Sequence, residues 1–212
     1  GMGGHQGGEV ASRLAVDAII ESLEPEIAGA SSGTTDADIR GKLDRAFRLA
    51  NERIVSRRSG DPRLEKMGTT LVVAWLSGNQ AHIAHIGDSR CYSLRGSQAL
   101  CLTRDDTVVQ NMLEDGSITR ADVPNVPFRN VLTRAVGTVE QAAPSYRRET
   151  LDEGDVLLLC SDGLTDSVPE YRWLEIHKES DGMERTVQAM IDAGLANEAG
   201  DNVSVVLLTL EY

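Results

Sequence analysis

Thr69-Thr70-Leu71-Val72-Val73-Ala74-Trp75-Leu76-Ser77-Gly78-Asn79-Gln80-Ala81-His82-Ile83-Ala84-His85-Ile86 is the stretch on which the fold class turns. Thr69 to Leu76 is rich in β-branched and aromatic residues, Ser77 to Gln80 is turn chemistry, and Ala81 to Ile86 is a second β-rich run. Two such runs joined by so short a link pair as an antiparallel hairpin. Cys91-Tyr92-Ser93-Leu94 reads as a third strand, turning at Gly96-Ser97 into a fourth near Ala99 to Leu102. The pattern predicts an antiparallel meander, not βαβ units.

Before the hairpin the period is helical. The chain opens Gly1-Met2-Gly3-Gly4-His5-Gln6-Gly7-Gly8-Glu9, a glycine-rich run expected to be a loop that enters a helix at Glu9. Val10, Leu14 and Ala18, with Ala11, Ala15, Ile19 and Leu23, give the i, i+4 pattern of that helix, predicted to stop before Pro25. A small polar loop, Ala30 to Thr35, precedes a second helix marked by Ile39, Leu43, Phe47, Ala50 and Ile54, with Thr35 or Asp36 as its cap. Two consecutive helices joined by a loop predict an antiparallel pair.

After the hairpins, Thr107 to Glu114 reads as a helix stopped by Gly116 at a left-handed C′ position. A loop bearing Pro124 and Pro127 and a short strand around Val131 to Arg134 follow. Val156 to Cys160 and Val203 to Leu208 are continuous apolar runs, expected to be strands buried on both faces or nearly so. Between them Val187, Met190, Ile191 and Leu195 mark another helix. Helices, then strands, then helices, with antiparallel connections, give an α+β class in one domain over residues 1–212.

Composition narrows function. With 41% hydrophobic residues the chain can bury a sizeable core. No apolar run is long enough to span a bilayer, and no signal-peptide pattern is present, so a soluble, cytoplasmic protein is expected. Cys91, Cys101 and Cys160 lack any CxxC spacing and read as reduced core thiols. A net charge of −12 argues against nucleic-acid binding. A phosphorylated substrate stays compatible with that charge if bound cations reverse it locally.

Three acidic clusters fall at strand ends: Asp162 in "CSDGL", Asp201 in "AGDNVSVV", and Asp105 with Asp106 after "CLT". Carboxylates where buried strands emerge offer hard oxygen ligands on a rigid frame, pointing to Mg²⁺ or Mn²⁺ instead of zinc. Each aspartate taken singly is also an ordinary turn former, as is Gly87-Asp88-Ser89-Arg90. His82 and His85 are placed on a strand, not on a metal.

The ordered set separates these alternatives. "GMGGHQGGEVAS" at 1–12, "MGTTL" at 67–71, "AHIGDSRCYSLR" at 84–95, "LTRDDTVVQNMLEDGSIT" at 102–119, "LLLCSDGLTDSV" at 157–168 and "AGDNVSVVLL" at 199–208 resemble the PP2C-type (PPM) metal-dependent protein serine/threonine phosphatases in their bacterial form. The resemblance runs over nearly the whole chain. It implies a four-layer α-β-β-α sandwich, two antiparallel sheets flanked by helix pairs, with two Mn²⁺ or Mg²⁺ ions and a third, weaker one. Carried over by motif, Asp162 and Asp201 would be ligands of one ion, Gly1 would supply a backbone carbonyl, and Asp105 would help hold the third ion. The partners implied are phosphorylated proteins, substrates of a serine/threonine kinase.

The family's bridging aspartate should stand immediately before Gly1, so the expectation is of an N-terminally truncated domain without its first strands and their phosphate-gripping arginine. Met2 stands where eukaryotic members have a histidine, and His5 does not match that position. Two readings result: a phosphatase that hydrolyses phosphoserine and phosphothreonine on proteins, or a catalytically impaired phosphatase-like module that binds a phosphoprotein or regulatory partner.

Overall fold

The structure, a computed structural model, describes residues 1–2, 4–28 and 34–210, and of residues 4–6 the backbone alone. Most of the predicted loop from Ala30 to Thr35, and the His5 side chain, lie outside the described residues. The chain divides into two compact units, each made of segments distant in sequence: Gly1–Leu71, Ala84–Gly87 and Asp105–Tyr146 in the first, and Val72–Ile83, Asp88–Arg104 and Arg147–Tyr212 in the second.

The first unit is built on α1 (Gly4–Ala28) and α2 (Asp36–Ser59). They pair antiparallel as the periodicity predicts, with Glu26 bonded to Lys42 at 3.0 Å and Glu21 to Arg53 at 2.7 Å. Ala11, Ala15 and Ala18 of α1 are buried along with Leu43, Phe47 and Ile54 of α2, so small residues let the helices approach closely. Thr35 caps α2 in a reciprocal box with Asp38.

Two expectations about α1 are corrected. Pro25 lies inside the helix, which runs one turn further. Its ring removes a bond to the residue 21 carbonyl, but both residues are exposed, where water replaces the lost partner. The helix also begins at Gly4, not Glu9, with Gly7 and Gly8 buried. Its first turns fold back on the chain start: a Cβ at Gly8 would stand 2.5 Å from the Gly1 carbonyl oxygen, an approach only glycine permits.

Further along this unit, α3 (Val108–Glu114) is capped by Thr107 and followed by Gly116 at φ +78°, as its sequence implies. The strand expected at Val131 to Arg134 does not form. One isolated bridge, Thr107 to Leu132, stands there, flanked by Val108 N–H to Val131 O at 2.9 Å and Thr133 N–H to Asp106 O at 2.8 Å.

The strands are β1 (Leu71–Ser77), β2 (Gln80–Ile86), β3 (Arg90–Arg95), β4 (Gln98–Cys101), β5 (Ser145–Thr150), β6 (Val156–Cys160) and β7 (Val205–Thr209). They form two antiparallel sheets, ordered β1-β2-β5 and β4-β3-β6-β7. Both hairpins are as predicted, but the single meander is not: the chain leaves one sheet after β2 and enters the other at β3. The reason lies in β3, whose two faces are both apolar or small. Cys91 packs with Leu157, Leu159, Ala81 and Ile83 between the sheets in the second unit, while Tyr92 and Leu94 face helices. A strand buried on both sides needs a second sheet on one side and helices on the other.

Those helices are α4 (Asp162–Ser167), α5 (Glu170–Glu179) and α6 (Met183–Ala196). Leu164, Trp173, Ile176 and Met190 cover Tyr92, Leu158 and Cys160, with Trp173 edge-on to Tyr92 at 5.0 Å. α6 matches its predicted pattern; α4, α5 and β5 are findings of the structure. β6 is buried throughout, as expected. β7 is not: it is the sheet's last strand, and Val206 is 52% exposed. All three cysteines are free thiols. Burial pushes the Cys91 thiol up to about 12, so it stays protonated in the core.

Candidate metal centre

β6 delivers its chain to the surface at Ser161, and β7 begins four residues after Asp201. Because β6 and β7 are paired with Cys160 opposite Val205, the two loops emerge side by side. Ser161 ties them together. Its N–H donates to the Ser204 carbonyl at 3.1 Å, its hydroxyl donates to the Asn202 carbonyl at 3.0 Å, and the same oxygen accepts from the Ser204 N–H at 3.0 Å. Gly163 completes the fit, since a Cβ there would fall on the Asn202 carbonyl oxygen. Gly163 is thus helical and needed for close approach.

This junction sets Asp162 and Asp201 against each other. Burial, then the charges of Asp201 and Asp166, raise the Asp162 carboxyl above its ordinary value. Asp201 accepts its own loop's Asn202 N–H at 2.7 Å. Like charges held together by backbone bonds are costly to keep without a cation, and a cation would relieve them. Among the described residues no three His, Cys, Asp or Glu side chains converge as a metal site by themselves. Two carboxylates completed by carbonyls, water and substrate phosphate are a donor set that suits Mg²⁺ or Mn²⁺.

Gly1 stands in the first unit, exposed, with its successor Met2 bonded both ways to Gly68: Met2 N–H to Gly68 O at 2.9 Å and Gly68 N–H to Met2 O at 3.2 Å. Its carbonyl is therefore held between that bridge and the first turns of α1. Gly1 and Gly8 serve close packing.

The Asp105-Asp106 pair divides in the structure. Asp105 is half-buried and belongs to the first unit, whereas Asp162 and Asp201 belong to the second. Asp106 is buried and structural: its carboxylate accepts the Gly87 N–H at 3.0 Å and lies 3.5 Å from the Arg134 guanidinium, while its own N–H donates to Gly87 O at 3.0 Å. Sequence reasoning grouped the two aspartates and missed this. It also missed Ser161, although a hydroxyl directly before Asp162 was the available signal.

The fold and the paired carboxylates define a class: a two-sheet α+β protein with two acidic side chains crowded at the end of the β6–β7 pair. The sequence model described as Protein phosphatase 2C matches residues 1–198. The chain belongs to the protein phosphatase 2C family. It is 37% identical over 207 residues to the serine/threonine protein phosphatase PstP of Mycobacterium tuberculosis, covering 98% of this chain and 38% of that protein. It is 34% identical over 208 residues to the serine/threonine phosphatase stp of Listeria innocua, covering 98% of this chain and 81% of that one. A crystal structure of the PstP catalytic domain in complex with two manganese ions superposes with a TM-score of 0.82 at 34% identity, over 97% of this chain and 83% of that one. No helix among the described residues is long and apolar enough to cross a membrane.

Proposed function

We propose that this chain is a metal-dependent protein serine/threonine phosphatase that hydrolyses phosphoserine and phosphothreonine on cytoplasmic proteins phosphorylated by a serine/threonine kinase. The observation that carries this reading is the clamped, like-charged pair Asp162 and Asp201, on a chain whose relatives are named serine/threonine phosphatases. Asp162 and Asp201 are the carboxylate ligands, Gly1 offers its carbonyl, and Asp105 serves a weaker third ion. Bound Mn²⁺ or Mg²⁺ supplies the charge that activates water and offsets a phosphate dianion. The protein's own part is to hold the oxygens. Ser161 fixes the separation of the two aspartates, Gly163 lets the Asn202 loop approach, and the Met2–Gly68 bridge orients the Gly1 carbonyl.

The test is hydrolysis of p-nitrophenyl phosphate and of a phosphothreonine peptide with Mn²⁺, with Asp162→Asn as control. Mn²⁺-dependent turnover in the wild type, lost in the variant, is expected. Equal rates in both would end this reading. Phosphopeptide binding without turnover would instead establish the non-catalytic module.

A further inference from the structure

The end of α2 and the loop after it, Arg57 to Lys66, carry four cations (Arg57, Arg58, Arg63, Lys66) and two carboxylates (Asp61, Glu65), a net of +2 in a chain of −12. Asp61 is already taken. Arg63 folds onto it with two hydrogen bonds, at 3.0 Å and 2.8 Å, and with Arg57 nearby its carboxyl is held down at about 2. Arg57 and Lys66 are exposed, and Arg58 donates to the Gly137 carbonyl at 2.6 Å, a partner that leaves its charge uncompensated. Neither Arg58 nor Lys66 forms an ion pair among the described residues.

The place of this cluster in the first unit matters as much as its charge. Met67 N–H donates to Leu64 O at 2.8 Å, and the next residue, Gly68, is bonded both ways to Met2. Lys66 therefore stands two residues from the backbone that holds Gly1, no more than about 8 Å along the chain. A phosphorylated residue brought to the Gly1 loop would lay its neighbours beside this edge.

We propose that Arg57, Arg58 and Lys66 form a docking edge for an acidic peptide segment flanking the phosphorylated residue. The inference rests on the phosphatase reading above and names the substrate class that reading leaves open. On a protein of −12 most of the surface repels an acidic peptide, so one basic edge beside the site selects for sequence context.

The experiment is fluorescence anisotropy with two labelled phosphothreonine peptides, one flanked by Glu and Asp and one by Ala, in low and high salt. Wild type is expected to bind the acidic peptide about tenfold more tightly at low salt, a margin that high salt removes. Arg57→Glu with Lys66→Glu abolishes the margin, Lys66→Arg keeps it, and all variants hydrolyse p-nitrophenyl phosphate at the wild-type rate. Equal affinity for both peptides in the wild type, or a margin surviving in the double variant, overturns the proposal. Failure of the phosphatase reading shows separately, as absent Mn²⁺-dependent hydrolysis in the wild type, because docking is read by binding alone.

Discussion

Asp106, just before α3, and Asp162, the first residue of α4, both follow a strand and stand at a helix start, yet their surroundings oppose each other. Asp106 is neutralised: it has the Gly87 N–H and the Arg134 guanidinium, and its backbone is bonded on both sides. Asp162 is provoked, facing Asp201 and Asp166 with burial raising its carboxyl. A carboxylate that the protein satisfies holds the fold together. One that the protein crowds with its own kind costs stability, the mark of a functional site and not of a structural one.

The largest effect that could break this contrast is in the rate. Asp162→Asn is expected to lower Mn²⁺-dependent hydrolysis of p-nitrophenyl phosphate by on the order of a thousandfold. The metal-free variant should melt no lower than wild type, because a repulsion has been removed. A drop in both would show Asp162 to be structural after all. Asp106→Ala should behave in the opposite way. Removing one partner of a buried, hydrogen-bonded pair is expected to cost about 3 kcal/mol in urea unfolding.

Acidity sharpens the same contrast. A raised carboxyl takes up a proton on folding, so the metal-free protein should gain stability as pH falls through the raised Asp162 value toward that of an unfolded aspartate. Asp155 has the other sign. Burial works to raise its carboxyl, but Arg95 and the Asp152 N–H hold it below the ordinary value, so its contribution is present at neutral pH and lost on further acidification. Thermal melts against pH, with and without Asp162→Asn, separate the two: the gain should vanish in the variant and the acid loss should persist.

Smaller effects test how the loops are held. Ser161→Ala leaves both aspartates but removes the two hydroxyl bonds to the 202–204 loop, and is expected to weaken Mn²⁺ binding about tenfold by calorimetry. An unchanged affinity would mean that strand pairing alone sets the Asp162 to Asp201 separation. Asp105→Asn is expected to shift only the Mn²⁺ concentration for half-maximal rate, by about threefold.

Much of this was legible in the residues. Hairpins are local, and Gly78 and Gly96 announce them, with φ of +57° and +59° in the structure. Thr107 and Gly116 bracket α3 as cap chemistry requires. The six motifs identified the family and pointed to Asp162 and Asp201. What stayed hidden was non-local. Nothing in Cys91 to Leu94 says that one face meets a sheet and the other a helix, and nothing in "RDD" says which aspartate faces an arginine 28 residues on. Pro25 misled because solvent, which sequence does not display, absorbed its missing bond.

The sequence by itself determined the α+β class, both hairpins, the helix pair, the family and the pair of carboxylates on the loops around β6 and β7, because these depend on local periodicity, turn stereochemistry and motif order. Only the tertiary structure decided that the chain changes sheets after β2, that β7 is an edge, that α1 begins among the glycines, and which acidic groups are neutralised and which are crowded. Those outcomes depend on which distant segments bury one another, and a charge is satisfied or strained only by the neighbours that folding brings to it.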